Sequence, residues 1–405
     1  MADAGIAFEV VPGVSSAEAV PNYAGIPLTH RDYASSFTVV TGHEDPTRPR
    51  SRLDWARIAQ IPGTLVILMG LKHLEQITDR LLAYGRSPET PTALIRWGTT
   101  SRQQVLEGTL ASIAGLARQR KLAPPVVMVM GEVVKLRRKL NWFEKRPLLG
   151  QRVVVTQARG QARELTSRLR ARGAEVLEVP ALRFTVPTDP QPLRHALARL
   201  HEFEWIIFSS PHSVTAFFKV FGEVYGDWRD LGRARLGAYG PQTAAQLQGL
   251  HLRVEAMPTA HRGPAMVEAL ALTGEVRGRK ILLLRPEHSS GEMPRCLQAA
   301  GALVEDPPCY QTIVETEDPT GAAASLIEQG ADWITFTGLR EVHYFQRRCD
   351  LHRLVKEFPR VKLATLGPQP SQLLEKQGFQ PAAEATAPTV VALVEALEKA
   401  VHGAA

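Results

Sequence analysis

The sequence predicts an α/β protein, a pair of parallel-sheet α/β lobes with linker strands, preceded by a partial α/β domain. Three observations carry this expectation. The chain has 405 residues, more than one hydrophobic core usually serves. From Gln151 onward, short apolar runs alternate with amphipathic helical patterns, as they do where helices cover both faces of a parallel sheet. That same stretch also repeats itself.

The repeat begins with the first strand of each copy. Val153 to Thr156 and Ile281 to Leu284 are each followed by a Gly-Ala pair, at Gly173 and Gly301, an offset of 128 residues. At that offset Pro180 matches Pro308, the run Trp205 to Phe208 matches Trp333 to Phe336, Val214 matches Val342 and Phe217 matches Phe345. One deletion shifts the offset to 127, where Gly240-Pro241-Gln242 matches Gly367-Pro368-Gln369, and Val267 to Leu270 matches Val394 to Leu397. Each copy reads as a strand, then a helix with Leu165 and Leu169 on one face that stops at Gly173, a residue free to adopt the left-handed conformation. A second strand follows. Trp205 to Phe208 is continuously apolar, as a parallel strand buried on both faces should be. Periodicity leaves open whether each lobe is one copy or the copies exchange their first strands.

Composition narrows the function classes. Hydrophobic residues are 44%, enough for several cores, and the charge of +7 is spread among interspersed acids, so an anionic partner is only weakly indicated. The one basic run, Lys135 to Arg146, reads as a solvated linker rather than a nucleic-acid patch. Cys296, Cys309 and Cys349 form no CxxC pair, no even disulfide set and no metal-spaced cluster, so a reducing, cytoplasmic setting without metal is expected. The longest apolar runs, such as Leu65 to Leu71, are far shorter than the roughly 20 residues of a membrane helix, and no signal-peptide pattern opens the sequence.

Ligands of open α/β sheets gather at the carboxyl ends of strands, where helix N-termini offer unpaired N–H groups to anions. Ser209 and Ser210 follow one strand, and Gly240, Gln242 and Thr243 follow the next. They suit an anion cradle, and they equally suit helix caps. Thr337 and the segment with Gly367, Gln369 and Ser371 recur in the second copy, which favours a two-sided site. Thr156 and Arg159 follow the first strand of one copy and Arg285 that of the other; either guanidinium could hold a carboxylate, or form a surface salt bridge. Tyr310 lies just beyond Pro307-Pro308, where its phenol could donate a proton within a cleft or serve as a buried structural group.

The Thr-x-x-Arg at Thr156, the Gly-Ala-x-Val-x-x-x-Pro at Gly173, the Trp205 to Ser210 run, the Gly-Pro-Gln-Thr-Ala at Gly240 and the Cys-Tyr-Gln-Thr at Cys309 together resemble uroporphyrinogen-III synthase across residues 150–401. The resemblance implies two α/β lobes, one of residues 150–182 plus 312–401 and the other of residues 184–308, with Tyr310 in a linker facing the cleft. It implies cyclisation of hydroxymethylbilane, a tetrapyrrole with eight carboxylates, to uroporphyrinogen III, with loss of water, inversion of ring D and no cofactor. Tyr310 is the candidate for assisting departure of water, while Thr156, Arg159, Ser209, Ser210, Gly240, Gln242, Thr243, Arg285, Thr337, Gly367, Gln369 and Ser371 are the candidates for holding substrate. The sequence departs from the family where Gln157 replaces an Arg, where Gly338 to Glu341 replaces a Ser-rich loop, and where Pro370 replaces a Thr. Arg340 and Ser371 are the available substitutes.

Residues 1–140 resemble a different family. Glu9 to Ser16, Tyr23 to Arg31, Thr64 to Gly70, Gly98 to Gln103 and Gly131 to Val134 resemble the later part of uroporphyrinogen-III C-methyltransferase, a tetrapyrrole methylase, with residues 141–149 as a linker. The resemblance implies an S-adenosylmethionine site lined by Ser15, Met69, Gly98 and Pro125, and pairing as a homodimer. The Gly-rich loop, early acidic residues and Gly-Asp-Pro segment of the family's N-terminal lobe have no counterpart here, so the expectation is an incomplete, inactive methyltransferase, or a bifunctional enzyme from a truncated gene model. Two rival readings of the whole remain: a truncated methyltransferase on a scaffold, and a two-lobed module that binds a tetrapyrrole without converting it.

Overall fold

The computed structural model describes residues 1–42, 53–260 and 262–403. Its first sheet comprises β1 (Phe37–Thr41), β2 (Thr64–Leu68), β3 (Pro91–Arg96), β4 (Gln104–Thr109) and β5 (Val126–Met130), in the order β1-β2-β5-β3-β4. β1 and β2 are parallel and the other pairings antiparallel. The alternation of β2 divides two cores. Leu65 and Ile67 face the helices Trp55–Gln60, Leu74–Ala83 and Ile113–Gln119, while Val66 faces the helix Ser16–Tyr23.

The remaining chain builds two sheets. β6 (Arg152–Val155) and β7 (Glu175–Glu178) open the second, before the chain leaves it for β8 (Leu182–Thr185), β9 (Trp205–Phe208), β10 (Arg235–Ala238), β11 (Lys280–Pro286), β12 (Leu303–Glu305) and β13 (Pro308–Val314). It then returns for β14 (Trp333–Phe336), β15 (Lys362–Thr365) and β16 (Ala383–Glu384). The second sheet runs β16-β15-β14-β6-β7, all parallel; the third runs β10-β9-β11-β13-β8, with β12 also beside β11. The copies therefore exchange their first strands. Val153 pairs with Trp333 and Ile281 with Trp205, the same partnership made crosswise at the 128-residue offset. β9 and β14 are buried along their whole length, because helices pack on both faces. β8 and β13 run antiparallel to each other where the chain crosses between the sheets.

The helix Arg163–Ala171 stops as expected, with Gly173 at φ +96°. A Cβ at Gly173 would also lie 2.9 Å from Arg146 Cβ and 3.1 Å from Leu149 N, so the connection from the first sheet packs against this turn. The solvated-linker reading of Lys135 to Arg146 needs correction. Arg137 is buried; its guanidinium donates to Ala24 O at 2.7 Å, Glu107 Oε1 at 2.8 Å and Glu144 Oε2 at 2.5 Å. With its donors so engaged a buried cation is tolerated. Phe143 is buried against the Tyr23 ring, and Leu148 enters the core of the second sheet.

Candidate active site

Tyr310 sits on β13, with only 2% of its surface exposed. Its Oη lies 3.0 Å from Ser210 Oγ, the N-cap of the helix Pro211–Val224. Ser210 and Ser213 form a reciprocal capping box, which fixes the Ser210 hydroxyl. Phe184 on β8 meets the Tyr310 ring edge-on at 5.7 Å and stacks on the His212 imidazole at 3.5 Å. His212 in turn approaches Tyr310 at 5.9 Å, and its Nε2 is 2.9 Å from the amide Nε2 of Gln161, a residue following β6. That bond joins the two lobes.

Burial pushes the Tyr310 phenol above its ordinary value, opposed by the Ser210 hydrogen bond and by the charge and hydrogen bond of Arg340. Tyr310 is thus a neutral proton donor at physiological pH. Burial, and secondarily Arg340, holds His212 down at about 4, so its imidazole is neutral there too. Arg340 comes from the helix Leu339–Arg348 of the returning chain. Tyr344 of that helix donates to Thr312 O at 2.9 Å, and Arg348 donates to Pro180 O and, at 2.8 Å, to Glu317 O. Two anchors on the crossing segments therefore seat the helix against β13. Glu341 folds back over its own helix start, its Oε1 accepting from Thr337 Oγ1 at 3.1 Å while its Oε2 is buried without a hydrogen-bond partner among the described residues. Burial raises this carboxyl. Beside it an open groove of about 530 Å³ is lined by Arg340, His343, Tyr344, Gln369 and Lys376, among others.

The sequence-predicted residues divide clearly. Ser210 and Tyr310 meet, and Gln369 lines the groove near Arg340. Ser209 has a buried hydroxyl without a hydrogen-bond partner among the described residues. Gly240 takes φ +115° at the start of the helix Pro241–Gly249, where Thr243 is buried and Gln242 exposed. Gly367 occupies the matching place before the helix Pro368–Lys376. Thr337 is engaged by Glu341. Thr156 and Ser371 need correction as substrate-holding residues. The Thr156 hydroxyl is wholly buried and donates to Thr335 O at 2.7 Å, and Ser371 is buried against Thr365, 2.7 Å away, and Glu384. Both hydroxyls satisfy the sheet interior instead of the cleft. Arg159 pairs with the buried Glu315 at 3.1 Å, the salt-bridge alternative, and Arg285 is held by Asp306, Ser289 and Ser290 O. Sequence reasoning missed Gln161, Phe184 and His212. The 128-residue offset could have found one of them, since it equates His212 with Arg340.

In the first sheet, Met69 directly follows β2, Gly98 lies just past β3 and Pro125 just precedes β5. The registers Leu68↔Val127 and Arg96↔Val126 bring all three to one end of that sheet. Ser15 caps the helix Ser16–Tyr23 by accepting from Ala17 N at 3.2 Å, and a Cβ on Gly98 would strike Val20 of that helix at 2.4 Å. Met69, Trp97 and Thr99 all have positive φ, at 57°, 47° and 71°, a concentration of backbone strain typical of binding sites. Met69 is 63% exposed, and Ile6, Phe8, Val10, Val11 and Val14 are exposed as well. Among the described residues no group of acidic, His and Cys side chains has metal-binding geometry, and no helix is long and apolar enough to cross a membrane.

Two lobes built from exchanged copies of one α/β unit, with a buried phenol and a capped helix where the chain crosses between them, define a duplicated two-lobed α/β protein. The model for Uroporphyrinogen-III synthase HemD matches residues 163–395, and that for Tetrapyrrole (Corrin/Porphyrin) Methylases matches residues 1–114. The chain belongs to the uroporphyrinogen-III synthase family and carries a tetrapyrrole methylase segment before it. It is 36% identical over 245 residues to Uroporphyrinogen-III C-methyltransferase of Bacillus subtilis, covering 60% of this chain and 50% of that one. It is 30% identical over 341 residues to Porphyrin biosynthesis protein HemD of Ruminiclostridium josui, covering 84% and 67%. The methylase segment is 53% identical over 131 residues to S-adenosyl-L-methionine-dependent uroporphyrinogen III methyltransferase of Methanosarcina barkeri, covering 32% and 51%. The chain thus spans half to two thirds of the length of these relatives.

Proposed function

We propose that this protein is a uroporphyrinogen-III synthase, closing hydroxymethylbilane to uroporphyrinogen III with inversion of ring D and loss of water. The observation that carries the reading is the buried, protonated phenol of Tyr310, tied to Ser210 where the chain crosses between the two lobes. Tyr310 gives its proton to the departing hydroxyl, while the lobes hold the flexible polyanion folded so that ring D attacks through its substituted carbon. Arg340 and Lys376 along the groove supply cationic partners for carboxylates, and His343, Ser209, Gln242, Thr243 and Gln369 supply polar ones. The reaction needs no cofactor.

The test mixes purified protein with freshly made hydroxymethylbilane, then oxidises and separates the products. Type III isomer beyond the uncatalysed level is expected. Type I alone would reduce the protein to a tetrapyrrole-binding module. The methylase segment, in this reading, keeps Ser15, Met69, Gly98 and Pro125 as the remnant of an incomplete S-adenosylmethionine site and transfers no methyl group. Methylation of uroporphyrinogen III by this chain, with S-adenosylmethionine as donor, would overturn that part.

A further inference from the structure

With 2% of its surface exposed, Tyr310 offers almost nothing to a tetrapyrrole while the lobes stand as they do. Three side chains close around it. Ser210 meets the hydroxyl at 3.0 Å, and the rings of Phe184 and His212 approach the phenol ring at 5.7 and 5.9 Å. Phe184 belongs to β8, the antiparallel neighbour of β13, and Ser210 is fixed by its capping box. His212 is the part of this cover that can move.

The backbone of His212 is fixed as the second residue of the helix Pro211–Val224, while its ring lies with one face on Phe184 at 3.5 Å and its Nε2 at 2.9 Å from the Gln161 amide nitrogen. The imidazole is neutral, so Gln161 donates, Nε2 accepts and Nδ1 carries the ring proton. Gln161 stands on the other lobe, in an exposed turn where Gly160 takes φ +85° and a Cβ would meet nothing within 4 Å. Among the described residues no other side-chain hydrogen bond or ion pair joins the lobes away from the crossing strands, where Arg183 pairs with Glu317 and Gln311 donates to Val186 O. One neutral hydrogen bond is a weak closure. Parting the lobes by about 1 Å stretches it past bonding range.

We propose that His212 is a gate over Tyr310 and that Gln161 is its catch. The bond across the lobes holds the ring shut, and its release uncovers the phenol to the ligand. That the ligand is an open-chain tetrapyrrole rests on the synthase reading above; the gate itself rests on the contacts of His212. Gln161 touches neither the phenol nor a ligand and acts through His212, as a positioning residue. The arrangement keeps water from the phenol until a ligand parts the lobes, and it closes again over what has entered.

The experiment treats the full chain, as wild type, Gln161→Leu and Gln161→Glu, with dilute tetranitromethane and follows nitration of the Tyr310 peptide by mass spectrometry. The exposed Tyr33 and Tyr84 serve as controls. Leucine keeps the bulk and removes the donor at an exposed position, so the variant folds. Gln161→Leu should nitrate Tyr310 about 2- to 12-fold faster, the equilibrium worth of one neutral hydrogen bond, with the control tyrosines unchanged. In Gln161→Glu the carboxylate accepts from His212 Nε2 once the ring changes tautomer, and the rate should return to within about twofold of wild type. An unmoved Tyr310 rate in Gln161→Leu would overturn the gate, and so would an equal acceleration of Tyr310 and the controls, the mark of general loosening. The isomer assay is independent of this result. A protein that forms only type I still has the gate if Gln161→Leu speeds nitration, and one that forms type III has none if the rate stands still.

Discussion

Replacing Tyr310 by Phe removes one oxygen and little else. The ring contacts with Phe184 at 5.7 Å and His212 at 5.9 Å survive, and Ser210 Oγ keeps the Ser213 N–H at 3.2 Å. Only the 3.0 Å bond between the two hydroxyls is lost. Its contribution to stability is about 0.5–1.5 kcal/mol, or roughly 1–4 °C in melting temperature for a domain of this size. If Tyr310 protonates the leaving hydroxyl, kcat should fall by about 10²-fold, the lower end for general acid catalysis, equivalent to roughly 2.7 kcal/mol in the barrier. The kinetic effect then exceeds the stability effect and falls on kcat rather than KM. Initial rates of type III formation, with the uncatalysed type I rate subtracted, should be set beside thermal melts of both proteins. A kcat within about threefold of wild type would show that Tyr310 is structural and that water carries the proton by itself.

Arg137→Met should cost about 1–3 kcal/mol, because the part-buried Glu144 loses its cation and the exposed Glu107 its partner; denaturant melts that match wild type would contradict the account of the connection. Gly98→Ala drives a methyl group into Val20 at 2.4 Å and should destabilise the first sheet by about 1–3 kcal/mol, seen as faster hydrogen exchange in Ser16–Tyr23 and unchanged exchange in β9 and β14. His212 is depressed from 6.5 to about 4, so between those values the unfolded chain binds more protons than the folded one. Its contribution to stability is present above about pH 6.5 and is lost as pH falls toward 4. Allowing for solvent screening, wild type should lose about 1–2 kcal/mol more than His212→Gln across that window, and parallel pH-stability curves would count against the burial argument.

The duplicated unit was legible because matching strands and turns need similar residues at matching places, such as Gly173 and Gly301 at their positive φ. The exchange of strands was not. β6 beside β14 buries the same valines that a pairing within one copy would bury, so the apolar pattern does not distinguish the two arrangements. Ser210 could be placed from its position after a buried strand and before a helix. Thr156 and Ser371 had comparable settings, yet each hydroxyl turns inward to an acceptor on another strand, Thr335 O and Glu384. Local sequence does not specify such nonlocal partners. Arg137 misled for the same reason: a run of cations looks solvated until Glu107, 30 residues earlier, and Glu144 are brought to it by the fold. Gln161 meets His212 only when both lobes exist.

The crosswise pairing of Val153 with Trp333 sets an order of assembly during synthesis. β6 and β7 leave the ribosome early, but β14 is still 180 residues away by the separation of that pair. At about 5–20 residues per second, the β6 edge waits roughly 10–40 s with its N–H and C=O groups unpaired. Meanwhile β8 to β13 emerge in sequence and can close the third sheet on their own. The lobe encoded in the middle of the chain should therefore be finished first and serve as the platform onto which the two ends converge. A nascent chain stalled before β14 would carry a completed lobe and an open, valine-rich edge, a form prone to associate with other unfinished chains.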